Sequence, residues 1–307
     1  MKSPVLLIIF NRPNTTQEVF NVIKKVKPSK LYVAGDGPRL NRPNERELCH
    51  QAKKIATAVD WNCEVKTLFQ DENLGCKIAV SRAISWFFEN EKEGIILEDD
   101  IVPHSDFFYY CDELLDKYRD KTNIGVVSGH NHVYNDKHFH DSYDFVSVSH
   151  CWGWGSWRHS WEKVDVSLST YDFRSLKKAL KTIYSNPSQR RFWLGTYLLL
   201  KMGLINSWAY PMTISFIING YISIVPKHNL TKNIGEGENA THTSTLDLNE
   251  TSIVLNPIRP IKHPSKQQIN TALEYNEFIN EHRSMSVLSY LKIRIKFCIY
   301  YILNKMQ

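Results

Sequence analysis

The sequence predicts an α/β fold, with a mixed, mostly parallel sheet flanked by helices and laid down within the first ~130 residues. Three observations lead there. Short apolar runs, too brief for helices, alternate with longer segments whose apolar residues recur at helical spacing. The connections between them are brief, as in βαβ units. The runs also end in polar clusters, Asn11-Arg12, Asp36-Gly37 and Glu98-Asp99-Asp100. Those ends are the carboxyl ends of strands, where parallel sheets bind ligands.

Taken in order, Val5 to Phe10 reads as a fully buried strand closed by Asn11-Arg12-Pro13. A helix follows, capped by Thr15 or Thr16, with Val19, Phe20, Ile23 and Val26 on one face. Leu31 to Ala34 is a second buried strand, and Gly35-Asp36-Gly37-Pro38 is a turn by composition. Residues 44–58 are helical, and Glu64 to Phe69 alternates as a third strand. Ile78 to Glu91 is a helix with Ala79, Ala83, Trp86 and Phe87 inward. Gly94 to Leu97 is a fourth strand running straight into Glu98-Asp99-Asp100, before a helix over Phe107 to Tyr118 and a strand over Ile124 to Ser128. Beyond residue 130 the texture changes. His150 to Arg158 packs three tryptophans and two glycines into nine positions. A helical region over 173–202, a strand near Ile222 to Val225 and a polar loop from Asn229 to Thr245 follow. Near the C-terminus Leu291, Ile293, Ile295 and Phe297 alternate with Lys292, Arg294 and Lys296, and Cys298 to Leu303 is wholly apolar.

Composition narrows the function classes. A hydrophobic content of 42% with 12% aromatics excludes extensive disorder. The net charge of +6 is mild; it suits an anionic partner without selecting one. The basic residues are dispersed and no recognition motif is present, so nucleic-acid binding fits worst. Six scattered cysteines with no CxxC pair argue against a disulfide framework or zinc knuckle and for reduced thiols in a cytosol. The apolar run at Val5 to Phe10 is too short for a signal-peptide core, and no stretch approaches the ~20 apolar residues of a membrane span.

The acidic triplet Glu98-Asp99-Asp100 carries the chemistry. Three carboxylates after a buried strand repel one another and are costly to desolvate unless a cation or hydrogen-bond donors balance them. A hard divalent ion, Mn²⁺ or Mg²⁺, bridging a pyrophosphate does so. An acidic loop that merely caps the next helix is the alternative. Asp36 can accept hydrogen bonds from a uracil or ribose, or serve as a plain turn residue. Arg12 can meet a phosphate or an internal carboxylate. Asn73-Leu74-Gly75-Cys76-Lys77 opens a helix whose amides, with Lys77, suit a phosphate. Trp152, Trp154 and Trp157, with Arg158, suit a sugar acceptor, or a packed corner of core. His242 is a candidate late metal or phosphate ligand, or a surface loop histidine.

The ordered set Val5–Pro13, Asp36-Gly37-Pro38-Arg39, Asn73-Leu74-Gly75-Cys76-Lys77, Ile96-Leu97-Glu98-Asp99-Asp100, Trp152-Gly153-Trp154, Asn233-Ile234-Gly235 and Ala240-Thr241-His242-Thr243 resembles the bacterial nucleotide-diphospho-sugar transferases called hemolytic-protein-like, which have a GT-A, Rossmann-like fold. More distantly it is similar to the N-acetylglucosaminyltransferase I family. The resemblance spans roughly residues 4–245 and rests on the joint order of loose motifs. It implies an inverting hexosyl- or N-acetylhexosaminyl-transferase using a UDP-linked donor and a glycan or lipid-linked acceptor in bacterial surface polysaccharide synthesis. It further implies that Phe10, Asn11, Arg12, Asp36, Gly37, Asn73, Lys77, Glu98 and Asp99 surround the donor. By the same resemblance Asp100 would ligate the metal, and His242 is the second ligand that the residues themselves suggest.

One position departs from the family. Where a Trp-Asp pair would supply the catalytic base, Ser207-Trp208-Ala209-Tyr210 has alanine, which accepts no proton. Either Ala209 is a knock-out of the base, the preferred reading, or the base has moved to Glu236 or Glu238, or the chain is an inactive glycan-binding or assembly protein. The expected layout is a nucleotide-sugar half over 1–130, an acceptor and catalytic half of the same domain over 131–260, and a helical segment over 261–307. The last of these either touches a membrane surface through 285–307 or packs on the domain as a helix; the expected location is the cytoplasm, and on the first reading the inner face of the cell membrane.

Overall fold

Val5–Ile9 offers no polar side chain to solvent, and it forms the buried strand β1. Pro13 then starts α1 (Pro13–Val26) at its first turn, where the missing N–H costs nothing. The expected cap at Thr15 or Thr16 therefore moves back to Arg12, and the Thr16 hydroxyl instead donates to the Arg12 carbonyl at 2.7 Å. The structure, a computed structural model, describes residues 1–133, 137–235, 253–282 and 285–305.

The rest of the first half follows the alternation in the sequence: β2 (Lys30–Gly35), α2 (Glu45–Ala56), β3 (Glu64–Phe69), α3 (Cys76–Asn90), β4 (Glu93–Glu98), β5 (Ile101–Pro103), α4 (Ser105–Lys117) and β6 (Ile124–Ser128). Then come β7 (Tyr143–Val146), β8 (Trp154–Trp157), α5 (Arg158–Trp161), α6 (Phe173–Ile183), α7 (Pro187–Lys201), α8 (Ala209–Asn219), β9 (Ile222–Pro226) and β10 (Thr231–Asn233). Two helices, α9 (Thr271–Glu281) and α10 (Val287–Lys305), complete the described chain. The helical region expected over 173–202 is broken at 184–186. Pro187 cannot continue a helix from the N-terminal side, and Asn186 caps the new one by accepting from the Ser188 amide at 2.8 Å.

Eight strands form one sheet in the order β3-β2-β1-β4-β8-β6-β9-β7. β1, β2, β3 and β4 are mutually parallel, β8 runs antiparallel between β4 and β6, and β6 and β9 pair in parallel. The fold is the mixed, mostly parallel α/β arrangement the sequence predicts. Alternation across the sheet splits the core into two layers. Val5, Leu7 and Ile9 pack with α1, α2 and α4, while Leu6 and Ile8 face α3 and α8. A third cluster joins α6, α7 and α8, and α10 lies against it through Tyr290, Ile293 and Phe297.

The tryptophan-rich stretch is partly a strand, which corrects one expectation. Trp154 and Trp157 lie in β8 and are almost fully buried, Trp154 stacked near Trp208 and Trp157 donating to the Leu115 carbonyl at 3.3 Å. Because β8 is antiparallel to β4, Trp157 pairs with Glu93. It therefore sits five strand residues, roughly 17 Å, from the Glu98 end. Arg158 is farther still, donating to the carbonyls of Glu89 and Glu91. Neither Trp154, Trp157 nor Arg158 reaches the acidic triplet.

Candidate functional site

The carboxyl ends of β1, β2 and β4 open on a cleft of about 430 Å³, within the ordinary range for small-molecule sites. Its wall takes Phe10 and Arg12 after β1, Asp36 and Arg39 after β2, and Asn73, Gly75 and Cys76 where α3 begins. Glu98, Asp99 and Asp100 after β4, Trp152 before β8, Ser207 to Ala209 at the start of α8, and Asn233 and Gly235 after β10 close it. The three polar clusters at the strand ends thus share one cavity.

Glu98 is the last residue of β4, paired in register with Ile8 of β1. Asp99, 6% exposed, accepts the Phe10 amide at 2.8 Å. Asp100 pairs with Arg12 through Nη1 at 2.5 Å. One guanidinium therefore answers three carboxylates. Burial, and then repulsion within the triplet, push Glu98 and Asp99 well above the usual carboxylate range, and Arg12 only partly offsets this. Burial works against the Arg12 charge, but Asp100, Asp99 and Glu98 outweigh it and hold the guanidinium more firmly protonated.

The short β5–β10 ladder brings a distant segment onto this triplet. Ile101 pairs with Asn233, and the Ile234 amide donates to the Asp100 carbonyl at 2.8 Å. A Cβ at Gly235 would collide with Asp100 Oδ2 and crowd Arg12, so only glycine leaves the acid open there. The donors the triplet offers are carboxylate oxygens, and Arg12 balances their charge only in part. A hard divalent cation such as Mn²⁺ or Mg²⁺ fits that set.

Asp36 departs from the role expected of it. Its Oδ1 accepts the amides of Gly37 and Leu74, and its Oδ2 accepts the Gly75 amide and the Asn73 side-chain amide, all between 2.9 and 3.0 Å. Its four acceptor positions are filled from within the chain. Asp36 therefore clasps the 73–75 loop and has no capacity left for a base or ribose. Gly37 is needed because the Glu72 backbone crosses where a Cβ would be. Held this way, the amino end of the long helix α3 faces the cleft and suits an anion. Lys77 is half-buried outside the wall, and Asn11 turns away to donate to Glu45 at 2.9 Å.

Arg39, not singled out from the sequence, lines the cleft near the Phe10 ring and is fixed by a paired contact with Glu45. It is the last residue of the Asp36-Gly37-Pro38-Arg39 stretch, which was the available signal. Gly235 was likewise signalled only by its motif. Trp152 is the one residue of the tryptophan cluster in the wall. Ala209 is the first residue of α8 and lines the cleft beside Ser207, whose hydroxyl accepts the Ala209 amide at 3.2 Å. Glu236, Glu238 and His242 lie outside the described residues. The two thiols in the wall are poor nucleophiles. Burial and the acids push Cys76 up to about 12 and Cys151 well above its ordinary value.

No protein-family model matches the sequence, and no curated protein sequence matches it. Solved structures give partial likenesses. The mannosyltransferase PcManGT from Pyrobaculum calidifontis, in complex with GDP-Man and Mn²⁺, is 12% identical over 72% of this chain and 70% of that one, with a TM-score of 0.38. Mouse xyloside xylosyltransferase 1, in its apo form, is 10% identical over 71% and 81%, with a TM-score of 0.30. The 4-diphosphocytidyl-2C-methyl-D-erythritolsynthase from Anaerococcus prevotii is 7% identical over 52% and 76%, with a TM-score of 0.31. Likeness at this level decides nothing about chemistry, which rests on the residues of the cleft.

Proposed function

We propose that the chain is a metal-dependent, inverting glycosyltransferase. It would move a hexosyl or N-acetylhexosaminyl group from a UDP-linked donor to a hydroxyl of a glycan or lipid-linked glycan in bacterial surface polysaccharide synthesis. The observation that carries this reading is the triplet Glu98-Asp99-Asp100, three acids against one arginine, opening on a cleft that also holds a helix amino end. Asp100, with Asp99 beside it, would hold Mn²⁺ or Mg²⁺, which neutralises charge on the departing diphosphate when bound. Arg12 and the α3 amides would orient the phosphates, Glu98 would face the donor sugar or ribose, and Trp152 would offer its face to the acceptor.

Inversion needs a base opposite the leaving group to take the proton of the attacking hydroxyl. Position 209 is suited to one, since it lines the cleft at a helix amino end that favours a carboxylate by about 0.3–1 kcal/mol. Alanine there favours a second reading, a glycan-binding or assembly protein that keeps donor binding without turnover. The segment 285–307 would rest on a membrane surface. Helix α10 buries Tyr290, Ile293 and Phe297 against the protein and leaves Leu288, Leu291, Ile295 and Ile302 exposed. Among the described residues no helix is long and apolar enough to cross a membrane.

The test incubates the chain and its Ala209→Asp variant with a panel of nucleotide-sugars and Mn²⁺ and follows release of nucleoside diphosphate. One donor should be consumed, and the variant should turn over about 10²–10⁴-fold faster. Asp100→Ala should abolish metal-dependent nucleotide binding while the protein stays folded. Nucleotide affinity unchanged by Mn²⁺ and by Asp100→Ala would sink both readings. Metal-dependent binding with no turnover by either form would leave the binding protein.

A further inference from the structure

Behind Trp152 lies a second group of ionisable side chains that the cleft chemistry does not use. His130 and His132 follow β6, His150 follows β7, and α9 delivers Glu277 and Glu281 with His282 just beyond its end. The rings are in contact: centroids are 4.7 Å apart for His130 and His132, 4.8 Å for His132 and His150, and 4.8 Å for His130 and Trp152. A reciprocal clasp fixes the loop that carries the first two, Asn131 accepting from Asn229 while its own amide donates back at 2.7 Å. The cluster therefore sits on rigid elements, as a binding site requires.

The cluster is rich in ring nitrogens and poor in donors and acceptors to satisfy them. His130, His150 and His282 are all less than a tenth exposed. Among the described residues, no hydrogen bond reaches Nδ1 of His150, Nε2 of His130 or His282, or Oε1 of Glu277, and His150 Nε2 meets only the Glu277 carboxylate. Such groups are costly to bury unless something unites them. The carboxylate of Glu281 stands among the rings. Its Oε2 is 3.5 Å from His150 Nδ1 and 3.4 Å from His282 Nε2, and its Oε1 is 3.8 Å from His132 Nε2.

Those separations are the clue. In a tetrahedral site with bonds of ~2.0–2.1 Å, neighbouring ligand atoms stand about 3.4 Å apart. One ligand atom from each of His132, His150 and Glu281 already lies within 4.8 Å of the others. Glu277 sits 3.0 Å from the remaining nitrogen of His150, the place of the carboxylate that orients a metal-bound imidazole. We infer that His132, His150 and Glu281 form a transition-metal site of the zinc class, with Glu277 orienting His150 and a fourth position at the rim beside His282. Imidazole and carboxylate select such an ion over Mg²⁺, which prefers oxygen ligands. Bound there, the ion ties α9 to the ends of β6 and β7 and stiffens the support behind Trp152.

The site is independent of the acidic triplet, and its test is built to keep the two apart. Full-length protein carrying Asp100→Ala is stripped with a chelator and titrated with Co²⁺. The expected result is one Co²⁺ per chain with the intense visible bands of a four- or five-coordinate ion, displaced by Zn²⁺. Adding Glu281→Gln, which leaves the buried histidines in place, should weaken Co²⁺ binding at least about 100-fold, and Glu281→Asp should restore part of it. Absence of Co²⁺ uptake, a weak octahedral spectrum, or equal affinity in Glu281→Gln would each overturn the proposal. Because the readout is metal binding in a protein whose triplet is disabled, it stands or falls separately from the glycosyltransferase reading.

Discussion

Trp152 has a group of acids on each flank, and the two groups handle their charge in opposite ways. On the cleft side Arg12 is the one cation paired with Glu98, Asp99 and Asp100 among the described residues, and burial and mutual repulsion oppose the ionisation of Glu98 and Asp99. On the far side Glu277 and Glu281 face imidazoles. Burial opposes a charge on His150, yet the two glutamates prevail and hold it up to about 9. The first group is frustrated without a cation and opens on a cavity. The second has an internal counter-charge in His150. The contrast shows that buried acid in excess beside a cavity marks a place for a visiting ligand, whereas acid that meets an imidazole at close range marks a place that holds the fold together, alone or with a resident ion.

One substitution, made once in each group, tests the contrast through its sign. Glu277→Gln keeps a side chain of the same shape beside His150 but removes the charge that balances it. Breaking a buried pair in this way should destabilise the protein by about 3 kcal/mol in urea unfolding. Glu98→Gln removes a carboxyl whose ionisation burial and its acidic neighbours oppose. It should stabilise the metal-free protein by about 2 kcal/mol, while weakening Mn²⁺-dependent nucleotide binding. Loss of stability in both variants would mean that the triplet is a structural network like the other, and the contrast would be broken.

How much of this was legible in the sequence follows from where its signals are local. Apart from β5, the strands and helices up to Ser128 could be read because each is an apolar run, an alternating run or a helical stripe. The cleft could be read because parallel strands deliver their ends to one side, so Arg12, Asp36 and Glu98 had to meet. The antiparallel insertion of β8 was not legible. Trp154 and Trp157 look the same as core or as a sugar platform until their register with Ile96 and Glu93 is known. The β5–β10 ladder was hidden too, since it joins three-residue strands more than a hundred positions apart. The histidine cluster was invisible for a related reason. His130 and His132 show an i, i+2 spacing and Glu274, Glu277 and Glu281 one helix face, but only the fold brings the two patterns together.

Asp36 tests the contrast most finely, because it is an acid at the cleft that is fully satisfied. Its oxygens accept two backbone amides from the 73–75 loop, the amide of its neighbour Gly37 and the Asn73 side chain. Asp36→Asn turns one acceptor oxygen into an NH₂ group that must face donors. The loop lies near the surface, so water can take up some of the freed amides. The global cost should be about 1 kcal/mol, the low end for an unsatisfied buried donor. The local effect should be larger than that figure suggests. Leu74 and Gly75 amides should lose their protection from hydrogen exchange, and the start of α3 should no longer be held against the cleft. Nucleotide affinity should then fall by about tenfold with its metal requirement unchanged, since the triplet is intact. If those amides stay protected while affinity falls, Asp36 meets the nucleotide itself, and its place among the satisfied acids is lost.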